Sequence, residues 1–210
     1  MKYKKELSEL AEIPYFDGIT VGNLLGISGQ TLKMYITRAV ARGQLIRLKR
    51  NLYVTGDYYK LEASGQEYRE FLSNVIYGPS YLSLGYVLQK YAVLTESVFA
   101  YTAVTVKKTK KIVNKTGSYL YTNVKEDLFE GFEVLGQGKY RVCQATKAKA
   151  LFDYLYFTIK PWKKVTEEMV DGLRLNLDEI EEKDWAEFSG YIIKWGGRKM
   201  KKIERILCNR

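Results

Sequence analysis

The 210-residue chain contains no histidine, and this absence narrows the chemistry that the protein can perform. Histidine is the commonest general base and the usual partner that activates a serine or cysteine nucleophile. The two cysteines, Cys143 and Cys208, form no CxxC pair, so a zinc site would depend on carboxylates alone. These absences lower the expectation of an enzyme, and we predict no catalytic residues, no metal and no cofactor.

Long apolar segments are also missing. No run approaches the roughly 20 apolar residues that span a bilayer. The first residues, MKYKKELSELAEI, are basic and then acidic, and they lack the continuous apolar stretch of a signal peptide. We therefore expect a cytoplasmic protein with no membrane partner.

Positive charge exceeds negative charge in this sequence. The formal net charge is +10, and the first sixty residues carry 10 lysines and arginines against 5 acidic residues. A basic surplus favours anionic partners, nucleic acid first among them. The alternative interpretation is that the surplus only keeps the protein soluble.

Two short helices are predicted before residue 27. Residues 2–13 place four apolar side chains on one side of a helix that ends before Pro14, since proline disfavours a helical residue before it. Thr20 then has the position of a cap for a second helix, and Gly26 has the position of its stop.

A third helix is predicted from Gly29 to Arg42, with Ser28 as its cap and Gly43 as its end. Its apolar residues recur at spacings of three and four, which predicts a buried stripe of Leu32, Ile36, Ala39 and Val40. The opposite face carries Gln30, Met34, Thr37, Arg38 and Ala41, with Lys33 and Arg42 beside it.

After Gly43, the segments QLIRLK and NLYV predict a β-hairpin whose tip is Arg50-Asn51. Helices followed by a hairpin are the order of a winged helix-turn-helix, in which a helix and the hairpin tip both face DNA phosphates. The predicted DNA-binding residues are Gln30, Thr31, Lys33, Thr37, Arg38, Arg42, Lys49, Arg50 and Asn51. The alternative is a packing module with a solvated basic face.

The polar segment around residues 55–70 predicts a boundary between a winged-helix domain, residues 1–60, and a mixed α/β domain, residues 61–210. In the second domain we predict a helix that begins at Ser80 as its cap. A strand at 97–108, two hairpins at 110–124 and 132–143, and helices at 145–159, 166–176, 177–192 and in the basic tail follow. The expected fold class is α+β.

The residues from Pro79 to Thr122 resemble the central segment of the AbiEi-type antitoxin family, bacterial regulators of type IV toxin–antitoxin (abortive infection) systems. The similar features are Pro79-Ser80-Tyr81-Leu82-Ser83, Tyr91 to Leu94, Val104-Thr105, Lys107-Lys108-Thr109, Gly117, Tyr121, Lys149-Ala150-Leu151, Asp153 and Asn51 to Val54. The resemblance covers roughly residues 10–160. It departs at Lys147 and Ala148, where the family pattern has proline and glutamate.

The resemblance implies two functions. One is repression of the protein's own operon, at inverted repeats in duplex DNA. The other is neutralisation of a nucleotidyltransferase-like toxin, directly or indirectly, through the C-terminal domain. The surface that we expect to serve the second function is Lys107, Lys108, Lys110, Lys111, Arg198, Lys199, Lys201 and Lys202.

Other interpretations remain open from the sequence. Lys107 to Lys111 can be a second nucleic-acid patch or a solvated hairpin. The tyrosines of the second domain have spacings typical of core packing rather than base stacking. An adaptor that binds a toxin without recognising DNA is one rival class. A nucleic-acid-processing enzyme is another, because Glu181-Glu182-Lys183 contains a Glu-x-Lys element, although surface charge on a helix accounts for it better.

Overall fold

The computed structural model describes residues 7–62, 65–136 and 138–208. The chain is α+β. Its elements are α1 (Gly18–Leu25), α2 (Gly29–Ala41), β1 (Leu45–Lys49), β2 (Leu52–Thr55), α3 (Gly56–Glu62), α4 (Gln66–Ile76), β3 (Ser80–Leu82), α5 (Leu84–Lys90), β4 (Tyr101–Thr105), β5 (Lys110–Asn114), β6 (Gly117–Asn123), β7 (Phe132–Leu135), β8 (Val142–Ala145), α6 (Lys147–Thr158), α7 (Glu167–Asp171), α8 (Glu182–Trp195) and α9 (Arg198–Cys208), with 3₁₀ turns at Glu126–Leu128 and Leu177–Glu179. Within the described residues, no helix combines the length and apolarity needed to cross a bilayer.

The chain divides into two compact units. The first contains the residues up to Leu72 together with Ile112–Ser118, and the second contains Ser73–Lys111 and the residues from Tyr119 onward. This division lies later than the predicted boundary near residue 60, because α4 contributes residues to both units. It also assigns the tip of the β5–β6 hairpin to the first unit, which no local sequence signal indicates.

The start of α1 differs from the prediction in its capping residue. The Asp17 carboxylate, not Thr20, caps the helix, and it accepts the Thr20 backbone N–H at 2.8 Å and the Thr20 hydroxyl at 2.9 Å. These bonds, the backbone one first, hold the pKa of Asp17 below its usual range. Thr20 was the wrong choice because aspartate, three residues earlier, satisfies the same orphan donors with a full charge.

The other predicted boundaries of α1 and α2 are confirmed. Gly26 ends α1 with a φ of 62°, and Gly43 follows the end of α2. Ser28 stands at the N-cap position of α2, but its side chain makes no capping hydrogen bond. Of the helix predicted at residues 2–13, residues 1–6 lie outside the described part of the chain. Leu7 and Ser8 are helical, and a turn follows as far as Glu12. Leu7 and Leu10 are nevertheless buried in the same apolar cluster as Ile36 and Ala39 of α2.

The β1–β2 hairpin forms as predicted, and both of its faces contribute to the core. Leu45, Ile46, Leu48, Leu52, Tyr53 and Val54 are all buried. Ile46 is paired with Val54 and lies on the same face of the hairpin, whereas Leu45 and Tyr53 lie on the other face. Tyr53 also pairs with Phe16. The Phe16 backbone N–H donates to the Tyr53 carbonyl at 2.9 Å, and the Tyr53 N–H donates to the Phe16 carbonyl at 2.8 Å. Phe16, in the segment before α1, thus pairs with β2 in the way that a third strand of the hairpin would.

Two hydrogen bonds explain why the tip of the β5–β6 hairpin belongs to the first unit. The Asn114 side-chain amide donates to the Leu48 carbonyl at 2.7 Å, and the Tyr59 hydroxyl donates to the Lys115 carbonyl at 3.3 Å. The Asn114 amide oxygen meanwhile accepts the backbone N–H and the hydroxyl of Thr116, both at 2.7 Å. Asn114 therefore fixes its own turn and binds the β1 backbone.

The second unit is built on the six-stranded mixed sheet, with strand order β5-β6-β4-β3-β8-β7. β3 pairs antiparallel with β4 and parallel with β8, while β4 is parallel to β6 and β7 is antiparallel to β8. The helix α6 packs against α5, α8 and the end of β8. Tyr81, Tyr86, Tyr119 and Tyr121 are buried, as their spacing predicts, whereas Tyr91, predicted with them, is half-buried.

The helix predicted to begin after Ser80 is wrong in its first turn. Ser80–Leu82 form β3, and the helix begins only at Leu84, with Ser83 at its N-cap. The segment is buried on both sides of the strand, and such a strand has the same apolar pattern as a buried helix. The strand predicted at 97–108 is real but shorter, because only Tyr101–Thr105 is extended.

The hairpins around Thr116 and Gly136, the helix before Pro161 and the basic terminal helix are present as predicted. The helix capped by Thr166 is shorter than predicted, because only Glu167–Asp171 is helical. The helix predicted at 177–192 begins only at Glu182, after a 3₁₀ turn at Leu177–Glu179. Gln137, at the tip predicted for the second hairpin, lies outside the described residues. The Thr166 hydroxyl accepts the Met169 backbone N–H at 3.3 Å, which confirms its role as a cap.

A buried ion pair lies at the centre of the second unit. Lys149 and Asp153 are 0% and 1% exposed, and the Lys149 ammonium donates to Asp153 Oδ1. Asp153 Oδ2 accepts the Tyr81 hydroxyl at 3.0 Å and the Ser83 hydroxyl at 2.8 Å. Burial raises the pKa of Asp153, and the charge of Lys149 opposes that rise. The carboxylate thus has a partner for each oxygen.

Replacing Lys149 with methionine should destabilise the protein by about 3–5 kcal/mol, because Asp153 would remain buried without its cation. The double variant Lys149→Met/Asp153→Leu should lose less, since no unpaired charge remains. The free energy of unfolding in denaturant measures both.

The matched control is Lys194→Ala, which breaks an exposed pair with Glu130 at 2.9 Å. It should change stability by less than about 1 kcal/mol. A Lys149→Met variant as stable as Lys194→Ala would contradict this account of the core.

Candidate nucleic-acid interface

The helix α2 presents one buried and one exposed face, as its sequence predicts. Ile36 and Ala39 are buried, and Leu32 and Val40 are half-buried against the apolar cluster of the first unit. The opposite face is fully exposed along its length. The exposed residues of this face are Gln30, Thr31, Lys33, Met34, Thr37, Arg38, Ala41 and Arg42. The predicted helical contacts therefore lie together on one solvent-facing surface of one rigid element.

The hydroxyl of Thr37 is engaged within the helix. It donates to the Lys33 carbonyl at 2.8 Å, so its only proton is used by the backbone one turn earlier. Thr37 can still accept a hydrogen bond, but it cannot donate one to a phosphate or a base acceptor in this rotamer. The donors on the exposed face are therefore the side chains of Gln30, Thr31, Lys33, Arg38 and Arg42.

The cations of this surface are not neutralised by the residues around them. Lys33, Arg38, Arg42 and Arg50 form no ion pair with any residue that the structure describes. They produce an uncompensated positive field over the face of α2 and the tip of the hairpin.

The two residues of the hairpin tip have different roles. Arg50 is exposed, and Asn51 adopts a left-handed conformation with a φ of 56°. The Asn51 side-chain oxygen accepts the Gly18 backbone N–H at 3.1 Å, which satisfies an orphan donor at the start of α1. A Cβ on Gly18 would lie 2.5 Å from that oxygen, so only glycine permits this approach. Asn51, predicted as a DNA contact, uses its side-chain oxygen to fix the hairpin tip to α1.

A groove of about 490 Å³ lies between α1, α2 and the hairpin. The residues lining it are Gly18, Ile19, Gly29, Leu32, Lys33, Ile36, Thr37, Arg47, Asn51 and Tyr53. Arg47 extends over the Tyr53 ring, with its guanidinium carbon 5.8 Å from the ring centroid. The groove thus carries positive charge on both sides, from Lys33 on α2 and from Arg47 on β1.

Arg47 was not among the predicted contacts. It alternates with Ile46 and Leu48, which are buried, so the period-two pattern of β1 places it on the exposed side. That signal was available in the sequence. What the sequence did not indicate is that the exposed side of β1 lines the same groove as Lys33.

The lysine run of the second unit is anchored on one tyrosine. The ammonium groups of Lys107 and Lys110 lie 5.5 and 5.1 Å from the centroid of the Tyr77 ring, and Lys107 also donates to the Gly78 carbonyl. The Tyr77 hydroxyl donates to the Lys108 carbonyl at 3.1 Å. All four lysines are exposed, and Lys107 and Lys110 differ from Lys108 and Lys111 in that their ammonium groups also lie over the Tyr77 ring.

The basic tail forms α9, with Met200, Ile203 and Leu207 buried. Arg198, Lys201 and Lys202 are exposed, whereas Lys199 is half-buried and donates to the Trp162 carbonyl. Among the described residues, no hydrogen bond or ion pair joins this tail to the lysine run. The predicted antitoxin surface is therefore drawn from two elements, the segment around β5 and the helix α9.

The acidic residues in the described part of the chain form no alternative metal site or active site. No group of three or more metal-ligating side chains occurs in the described part of the chain. The Glu-x-Lys element lies at the start of α8, where Glu181 and Asp184 form a capping box, and Lys183 pairs with Glu181 at 2.8 Å. These carboxylates cap a helix, as charged residues at a helix start commonly do.

Comparison with known proteins adds no assignment to this geometry. No protein-family model matches the chain, and no curated protein matches it. Any function must therefore be argued from the residues of the exposed α2 face, the groove, the segment around β5 and the helix α9.

Asn51 should be more sensitive to substitution than its exposure suggests. Asn51→Ala removes the acceptor for the Gly18 N–H and puts alanine in the left-handed region, which asparagine tolerates better, so we expect a loss of about 2 kcal/mol in the free energy of unfolding. Asn51→Gly removes only the acceptor and should lose about 1 kcal/mol. Arg50→Ala, one residue earlier, is the control and should leave stability unchanged. Equal stability of all three variants in denaturant unfolding would show that the Asn51–Gly18 bond is dispensable.

Proposed function

We propose that the protein binds duplex DNA through the exposed face of α2 and the β1–β2 hairpin, and that the first unit is a winged helix-turn-helix. The observation that carries this proposal is the set of unpaired cations on one rigid surface. Duplex DNA offers a matching array of phosphates, which supplies most of the affinity of such proteins. Helix α2 has the length and the exposed face to enter the major groove, which is about 12 Å wide.

Binding should weaken steeply with salt, with a slope of about 0.9 per phosphate neutralised in a plot of log affinity against log salt. Arg50→Ala should weaken all sequences alike and lower the slope by about 1, as expected of a phosphate contact. Arg38→Ala should relax sequence preference, at about 1–3 kcal/mol, if the guanidinium reads a base. Gel-shift titration of the full-length chain against promoter DNA measures these effects.

The matched control is Lys60→Ala. Lys60 is an equally exposed cation of the first unit, but it lies 3.8 Å from the carboxylate of Asp57. This variant should bind as the unsubstituted chain does. The proposal fails if the full-length chain binds no duplex DNA at low salt, or if its affinity does not depend on salt.

We further propose that the protein is the antitoxin of a type IV toxin–antitoxin system, that it represses its own operon and that it counteracts a nucleotidyltransferase-like toxin. The resemblance to AbiEi-type antitoxins supports this. Two segments that carry it, Pro79–Ser83 and Lys149–Asp153, are far apart in sequence, yet Tyr81, Ser83, Lys149 and Asp153 form one buried cluster. Residues singled out by the resemblance thus cooperate in the core of the second unit.

Surface substitutions in the full-length chain should separate the two functions. Lys33→Ala/Arg38→Ala should abolish repression of a promoter reporter and leave protection from the toxin intact. Lys108→Glu/Lys111→Glu should do the reverse, because these two lysines of the run are exposed and do not pack on Tyr77. Co-expression growth assays with the toxin encoded beside the gene measure protection.

Lys163→Glu/Lys164→Glu is the control for the second pair, since it makes the same charge change at two exposed lysines of the same unit. It should leave both functions unchanged. Loss of protection in Lys33→Ala/Arg38→Ala would show that neutralisation needs DNA binding, and the assignment of two separate surfaces would be wrong.

A further inference from the structure

Met34 lies in the middle of the exposed α2 face. It lies two residues from both Leu32 and Ile36, about 200° around the helix from each, and is therefore opposite the buried stripe. Its side chain is 44% exposed, although methionine is among the residues most often fully buried. Met34 therefore does not belong to the apolar core of the first unit.

The surroundings of Met34 are polar and positive. Gln30 lies one turn before it and Arg38 one turn after it, so all three share one line along the helix. Lys33 lies beside this line, and the Thr37 hydroxyl donates its proton to the Lys33 carbonyl at 2.8 Å. An apolar group surrounded by unpaired cations suits a partner that is anionic overall and presents an apolar group at its centre.

The major groove of DNA has this chemistry. Phosphates line its edges, and the only apolar group on its floor is the C5-methyl group of thymine. We propose that Met34 contacts thymine methyl groups in the major groove and makes the sequence preference of the protein depend on them. This inference rests on the proposed DNA binding and adds the base that the centre of the helix reads.

Replacing thymine by deoxyuridine isolates this contact. Uracil keeps the O4 acceptor and the pairing edge of thymine, so only the methyl group is lost. The probe is a duplex that the full-length chain selects from a random-sequence pool, with each thymine changed to deoxyuridine in turn. For at least one position, affinity of the unsubstituted chain should fall about fourfold, the effect of one buried methyl group.

Variants at residue 34 assign the effect. Met34→Ala should bind the thymine and deoxyuridine duplexes equally at that position, and Met34→Leu should retain the difference, since leucine keeps the apolar contact. Leu61→Ala is the control, because Leu61 is an apolar residue of the first unit that is 75% exposed. It should discriminate as the unsubstituted chain does.

Two results overturn the inference while leaving DNA binding intact. One is salt-dependent binding that no deoxyuridine substitution weakens. The other is a Met34→Ala variant that still distinguishes the two duplexes as the unsubstituted chain does. Failure of the unsubstituted chain to bind any duplex overturns both the inference and the proposed function, so the two failures are distinguishable.

Discussion

The packing of the second unit depends on the buried ion pair of Lys149 and Asp153. Two charges removed from water are tolerated only when their remaining hydrogen-bonding groups are satisfied. Tyr81 and Ser83 meet that requirement for the carboxylate, and the rings of Tyr81, Phe152 and Tyr191 lie 5.3–5.6 Å from the ammonium. The pair thereby joins β3, the start of α5 and α6, and each of these elements must keep its register for the carboxylate to keep its donors.

The first unit differs from the second, because its charged groups lie at the surface rather than in the core. Its core is an apolar cluster, and its cations remain in solvent on α2 and the hairpin. One polar group that this unit uses for internal positioning is the amide oxygen of Asn51, which fixes the hairpin tip to the first N–H of α1. Arg50 and Asn51 are therefore neighbours with separate tasks, since one presents charge and the other holds the turn that presents it.

Local signals in the sequence predicted most of the elements, because glycine, proline and capping residues act over three or four positions. Gly26, Gly43 and Thr166 are examples. The errors arise where a choice depends on the whole fold: Asp17 competes with Thr20 for the same donors, and Ser80 lies in a strand because β4 and β8 lie on either side of it. The exposed face of α2 was predicted correctly because a helix of 13 residues has a clear period. The groove beside it was not predicted, because it needs the spatial relation of β1 to α2.

The boundary between the units shows why function is better divided by surface than by chain position. A cut after residue 60 follows the composition of the sequence, but it would leave the tip of the β5–β6 hairpin without the Leu48 carbonyl that accepts the Asn114 amide. It would also remove Tyr59, whose hydroxyl bonds the same tip. A truncated chain that lost activity would then report a damaged hairpin as much as a missing DNA surface. Substitutions at exposed, unpaired side chains such as Lys33, Arg38 and Lys108 leave those bonds in place, so a change in activity can be assigned to the surface that was altered.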